Sequence, residues 1–153
     1  MMSGRAANNG AVAMAWVVRA MVAAALVACA APSASGMGEQ RADEYQVKAA
    51  FLFNFARFVS WPEMSGPIVI GIAGDDPFGE VVEATIRGKQ ISGRAVEVRG
   101  LGESDAVNDR NILFVSASEK RRAADLVRRA GTKVLTVGEV PQFLRDGGMI
   151  RFF

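Results

Sequence analysis

Asp75, Asp76 and Glu80 place three carboxylates in and beside one glycine-rich turn, Gly74-Asp75-Asp76-Pro77-Phe78-Gly79. Carboxylates can ligate a hard cation. This run lacks the alternating oxygen ligands of a calcium loop, however, and Pro77-Phe78 interrupts it. The spacing favours aspartates that cap a helix opening near Phe78, with Pro77 at its first position. The same turn also invites comparison with a phosphate cradle. Gly71-Ile72-Ala73-Gly74 does not complete G-x-G-x-x-G, no G-K-[ST] follows, and two aspartates would repel a phosphate. Ser116 and Ser118 are candidate nucleophiles without an elbow motif around them, and the chain has no His to activate them. Zinc lacks ligands, with no His and one Cys. No two acids are set apart by an apolar environment for acid–base work. The residues therefore offer no catalytic site, no metal site and no cofactor site, and the reading is of a protein that is not an enzyme.

The elements that would position these groups alternate. Asp43 can cap a helix running to about Ser60, which Trp61-Pro62 ends, because the residue before proline resists the α region. Ile68 to Ala73 is apolar throughout, as an interior strand covered on both faces should be. A helix from about Phe78 to Ile86 follows, then a polar loop from Gly88 to Gly93 and an alternating strand from Ala95 to Arg99. Asn111 to Val115 reads as a second apolar strand. Ser116-Ala117-Ser118-Glu119 has the form of a capping box, opening a helix that Gly131 stops. Lys133 to Val137 is a further strand, Glu139 to Arg145 a short helix, and Met149 to Phe153 a last strand. This order predicts a single α/β domain: a largely parallel or mixed sheet flanked by helices, preceded by an aromatic-rich N-terminal helix.

Charge is distributed unevenly. Arg5 and Arg19 are the only ionisable side chains before Glu39, Cys29 aside. Removing them from the 18 basic residues leaves 16 against 16 acids, so the segment after residue 38 is formally neutral. Net charge gives no support for nucleic-acid binding or for wholesale binding to an anionic membrane. Lys120, Arg121, Arg122, Arg128, Arg129 and Lys133 form a local basic patch, of the kind usually found on the solvated face of a helix.

Residues 1–36 read as a secretory leader. Arg19 is followed by the uncharged run AMVAAALVA and then by small residues as far as Gly36. Nine residues at about 1.5 Å each cannot cross a core of about 30 Å. Cys29, in Leu26-Val27-Ala28-Cys29, sits as in the lipobox of a lipoprotein and is a candidate lipidation site. Ordinary cleavage nearby, with Cys29 discarded, is the other reading. Either way the exported part holds no disulfide. Residues 37–42 form a linker and residues 43–153 the domain.

Phe51, Phe53, Phe55, Phe58 and Trp61 hold five of the chain's 12 aromatic residues. Tyr45, Ala49, Leu52, Ala56 and Val59 form one stripe at helical spacing, and Phe51, Phe55 and Phe58 a second beside it. A helix apolar over so wide an arc needs partners on more than one side. Either it is sandwiched inside the domain, or one aromatic face is held out for another protein.

Taken in order, several segments resemble the YfiR-like family of exported bacterial proteins. They are Val47 to Phe55 with Phe58 and Trp61-Pro62, then Gly71 to Gly79, Gly93-Arg94, Ile112 to Ser116, Leu135 to Val137, and Phe143 with Gly147-Gly148-Met149-Ile150. The resemblance implies a periplasmic regulatory domain. Such a domain binds the periplasmic part of an inner-membrane diguanylate cyclase, holds that enzyme inactive, and so lowers cyclic-di-GMP and biofilm formation. Homodimer formation also belongs to that system. The family pattern continues beyond the Gly-Gly-Met-Ile segment into a further strand and helix, so the resemblance implies a C-terminally shortened member. Disulfides known in some members have no counterpart here.

On this reading Phe55, Arg57, Phe58 and Trp61 are the candidate partner-binding residues, since exposed aromatics dominate interfaces. The partner is the periplasmic domain of a diguanylate cyclase or sensor kinase, with no nucleic acid and with membrane contact only through a lipid anchor. The alternative is a small-molecule-binding sensor module with its pocket at the strand ends, around Gly74–Gly79 and Gly138–Pro141.

Overall fold

The computed structural model describes residues 36–61 and 65–153, with side chains from residue 38 onward. Helix α1 spans Gly36–Phe58. It is followed by strand β1 (Ile68–Ala73), helix α2 (Glu80–Ile86), β2 (Gln90–Ile91), β3 (Arg94–Leu101) and β4 (Ile112–Val115). A 3-10 turn (Ala117–Glu119), helix α3 (Ala123–Ala130), β5 (Leu135–Gly138) and β6 (Ile150–Arg151) complete the order. The six strands make one sheet in the order β2-β3-β1-β4-β5-β6. All neighbours pair parallel except β2 with β3. The α/β class read from the sequence, a largely parallel sheet flanked by helices, is the one observed.

Alternation of side chains across the strands produces two cores. On one face Ile68, Ile70, Ile72, Ile112, Phe114 and Val137 meet α1 and α2. The stripe Tyr45, Ala49, Leu52 and Ala56 supplies the α1 side, and all four are buried. Phe114 lies at its centre, with its ring 4.8 Å edge-on to Phe78. Truncating so buried a ring costs about 3 to 5 kcal/mol. On the other face Leu113 and Val115 meet Ala123, Leu126 and Ala130 of α3, with Phe143 beside them. Both faces of β4 are therefore covered, which is why its sequence is apolar without alternation.

Asn111 is fully buried, and its Oδ1 accepts the Val69 backbone N–H at 2.8 Å. Its own backbone joins Val69 on one side and Leu135 on the other. A polar residue at the head of an apolar strand thus fixes the register of three strands, and its hydrogen bonds offset the cost of burying it.

Several local expectations need correction. Helix α1 starts at Gly36, so Asp43 lies within it instead of capping it, and residues 37–42 are helical. Glu39, Gln40, Arg41 and Ala42 are all good helix formers, and Glu39 suits the first turn. Helix α2 starts at Glu80 rather than Phe78. Asp76 Oδ1 accepts the Phe78 N–H at 2.8 Å, so this aspartate closes the turn before Gly79 and does not cap the helix. Residues 141–147 form consecutive turns, not a helix. Pro141 has no N–H, and the bonds there are mostly of the three-residue kind, such as Phe143 N–H to Val140 O. The expected loop from Gly88 to Gly93 contains β2 and a tight hairpin. The leader, its Cys29 and the Pro62 stop signal lie outside the described residues. Among the described residues no helix is long and apolar enough to cross a membrane.

Candidate partner-binding site

Helix α1 delivers the first set of groups. Its last backbone bond runs from Val59 N–H to Phe55 O at 3.1 Å. The carbonyls of a final turn lack helical partners, and here the Trp61 indole N–H donates to Ala56 O at 2.9 Å. This bond folds the chain back across the helix end. Arg57 stands in the last turn, where the helix dipole favours a cation. Phe58 projects outward with 81 % of its surface exposed.

The β2–β3 hairpin delivers the second set. Ile91 pairs with Arg94 across a two-residue turn, Ser92-Gly93. Both turn residues have positive φ, 52° and 77°. That is the geometry whose twist suits a tight hairpin, and glycine takes it without strain. The Arg94 guanidinium donates through Nε to Gly66 O (2.5 Å) and through Nη2 to Pro67 O (3.2 Å), tying the hairpin to the approach to β1.

The two sets meet around a recess of about 330 Å³ lined by Arg57, Phe58, Trp61, Ile68, Ile91 and Arg94, among others. Ile68 and Ile91 are buried and make an apolar floor. Lys89 lies close by, with Nζ 4.6 Å from the centre of the Phe53 ring, and Arg57 approaches the same ring at 5.9 Å. Three of the four residues singled out from sequence, Arg57, Phe58 and Trp61, therefore line one recess. Phe55 does not. It is half-buried on the other flank of α1, where its ring stacks on Phe152 (6.3 Å) and Phe51 (6.0 Å). Ile68, Ile91, Ser92 and Arg94 were missed by sequence reasoning. The signal was Ser92-Gly93 between Ile91 and Val96, a hairpin pattern within a stretch that otherwise reads as polar loop.

The opposite flank of α1 carries a second recess of about 330 Å³, lined by Val47, Phe51, Phe152 and Phe153 with Glu44 and Lys48. Lys48 is buried here and pairs with Glu139 Oε1 at 2.6 Å and with Glu44. The Tyr45 hydroxyl donates to Glu139 Oε2 at 3.1 Å. Burial alone would lower the Lys48 pKa, but its hydrogen bonds and charge partners Glu139 and Glu44 outweigh that and raise it. Burial raises the Tyr45 pKa, and the Glu139 charge and hydrogen bond add to this.

The strand ends, where a small-molecule pocket was the alternative, are filled in part. The chain leaves β1 for β3 on one side and returns to β4 on the other, the crossing at which open α/β sheets usually seat ligands. Here Ser118 Oγ packs directly on Gly74 and accepts the Asp75 N–H at 2.9 Å. At the Gly138 end the Phe143 ring occupies the space. Two recesses remain beside the Gly74–Gly79 turn. One, of about 380 Å³, lies between the ends of β1 and β3, with Ile72, Val98 and Leu101 in its wall and Asp76 and Glu83 at its rim. The other, of about 410 Å³, lies between that turn and the start of α1, lined by Arg41, Tyr45, Asp76, Pro77 and Phe78, among others. Among the described residues no group of three or more potential metal ligands comes together.

The basic residues of α3 and its approach are met by acids. Arg128 pairs with Asp125, Arg122 reaches Glu119 (3.5 Å) and Glu103 (3.6 Å), and Arg129 reaches Asp125 (3.9 Å) and also donates to the Asp105 backbone carbonyl. This is a solvated helix face.

Among curated proteins no match is found. A family model described as DUF4154, YfiR/HmsC-like, matches residues 45–153. The match begins at Tyr45 on the buried stripe of α1 and takes in the recess and the whole sheet, and the chain belongs to the YfiR/HmsC-like family.

Proposed function

We propose that this domain is a non-catalytic periplasmic regulatory binder that represses a membrane-bound diguanylate cyclase and so lowers cyclic-di-GMP. Membership of the YfiR/HmsC-like family supports the class of function. The observation that carries the contact site is Phe58, 81 % exposed at the mouth of a recess it shares with Arg57 and Trp61. An aromatic held out beside a partly apolar cavity is the anatomy of an interface anchor. Repression works through differential affinity. The domain binds the inactive conformation of the cyclase's periplasmic part more tightly than the active one. Taking that equilibrium from 1:99 to 99:1 needs a difference of about 5.5 kcal/mol.

The test is binding of the exported protein to the periplasmic domain of a membrane diguanylate cyclase from the same organism, together with cellular cyclic-di-GMP. Phe58→Ala and Trp61→Ala should each weaken binding and raise cyclic-di-GMP. Unchanged binding removes the site assignment. A deletion strain with unchanged cyclic-di-GMP removes the repressor reading.

A second reading, a sensor module for a small solute, is favoured by the recess between the ends of β1 and β3. Stabilisation of the isolated protein by a periplasmic metabolite, abolished by Val98→Trp, would support it.

A further inference from the structure

We infer that the recess at the end of α1 takes an acidic partner segment carrying an apolar side chain. This deepens the contact-site reading above and rests on it. The recess joins three apolar surfaces, Trp61, Ile68 and Ile91, under the exposed ring of Phe58. Its volume of about 330 Å³ admits a side chain and its backbone. Among its described lining residues the charge is of one sign. Arg57 and Arg94 line it, and no carboxylate does among the described residues. The contrast lies within this same chain. Arg122, Arg128 and Arg129 are each paired with a carboxylate, whereas Arg57 and Lys89 are met by the Phe53 ring and Arg94 by backbone carbonyls. Cations lying against aromatic rings or backbone oxygens keep their full positive charge, and such a surface complements a negative partner.

A concave floor selects a peptide over a bilayer. Ile68 and Ile91 lie at the base of the recess and cannot enter a lipid surface, and Phe58 is the one aromatic at its mouth that stands well clear of the protein. A partner segment with aspartates or glutamates flanking Leu or Phe fits both parts: its apolar side chain meets the floor and its carboxylates meet Arg57 and Arg94.

The experiment uses the mature protein and two probe peptides, acetyl-Glu-Asp-Phe-Leu-Asp-Glu-amide and its neutral counterpart acetyl-Gln-Asn-Phe-Leu-Asn-Gln-amide. The readouts are fluorescence anisotropy and amide shifts. The acidic peptide should bind about tenfold or more tightly than the neutral one, should weaken with salt, and should move the amides of residues 57–61 and 91–94. Arg57→Glu, a change at an exposed helix position, should lower affinity about tenfold, while Arg128→Glu on α3 should leave it unchanged. Equal binding of both peptides, shifts confined elsewhere, or indifference to Arg57→Glu overturns the inference. So does Phe58-dependent binding to phosphatidylglycerol vesicles without peptide binding. The result is independent of the cyclase: acidic-peptide binding with no cyclase binding leaves this inference standing and removes the repressor reading.

Discussion

Lys48 Nζ and Glu139 Oε1 meet 2.6 Å apart with both side chains nine-tenths buried, joining α1 to the residue that follows β5 across 91 positions of chain. Each ion keeps the other tolerable in the core. Removing Lys48 leaves the buried Glu139 charge with only the Tyr45 hydroxyl, at a cost of about 3 to 5 kcal/mol, whereas removing Glu139 leaves Lys48 paired with Glu44 and costs less. Lys48→Met alone should therefore lower Tm sharply, at about 4 °C per kcal/mol for a domain of this size, and Glu139→Leu alone should lower it less. Replacing the group together, Lys48→Met with Glu139→Leu and Tyr45→Phe, should recover most of the loss. Thermal unfolding of the single and triple variants checks this, and a triple variant no better than Lys48→Met would refute it.

The same cluster sets a response to alkali. The fold raises the pKa of Lys48 above its ordinary 10.5 and that of Tyr45 above its ordinary 10.0. In both cases the folded state favours the protonated form. The stability this contributes is complete below the ordinary values and is lost as pH rises through the raised ones. Tm of the native protein should fall more steeply above about pH 10 than that of the triple apolar variant. Parallel curves from neutrality into the tyrosine range would show that the cluster has no such role.

Phe143 is held between two glycines. A Cβ on Gly138 would stand 2.7 Å from its ring, and one on Gly148 would come closer still. Gly138→Ala or Gly148→Ala overpacks a fully buried site and should cost about 1 to 3 kcal/mol. Phe143→Leu in the same chain should relieve part of that cost. Chemical denaturation of single and double variants measures the coupling, and strict additivity would contradict the packing account.

Phe58 and Trp61 should separate recognition from stability. Phe58 is exposed, so Phe58→Ala should change stability by no more than about 0.5 kcal/mol. Trp61 is half-buried and closes α1 through its bond to Ala56, so Trp61→Ala should cost about 1 to 3 kcal/mol. Equal Tm losses for the two would mean that Phe58 has a structural role.

Where local pattern and tertiary demand agreed, the residues announced the fold. Ile68 to Ala73 reads as an interior strand and is one, buried along its whole length. Of the stripe Tyr45, Ala49, Leu52, Ala56 and Val59 read at helical spacing, the first four are buried, and Val59, past the helix end, is half-buried. What stayed hidden depends on contacts between distant positions. Nothing near Lys48 announces Glu139. Nothing near Gly74 announces that Ser118 closes the crossing beside it. Arg57, Phe58 and Trp61 were legible as neighbours on one helix end, but their companions Ile68, Ile91 and Arg94 join them only once the hairpin has folded back. Phe55 was grouped with Phe58 by spacing, yet the sheet's far edge draws it toward Phe152.

Trp61 is the one tryptophan among the described residues, and it sits at the mouth of the recess with its indole tied to the end of α1. Its emission colour and quenching therefore gauge events at that position without any attached label. A segment settling over the ring would exclude water and shift the light to the blue, while fraying of the helix end would shift it to the red. The molecule carries its own optical probe where contact is expected.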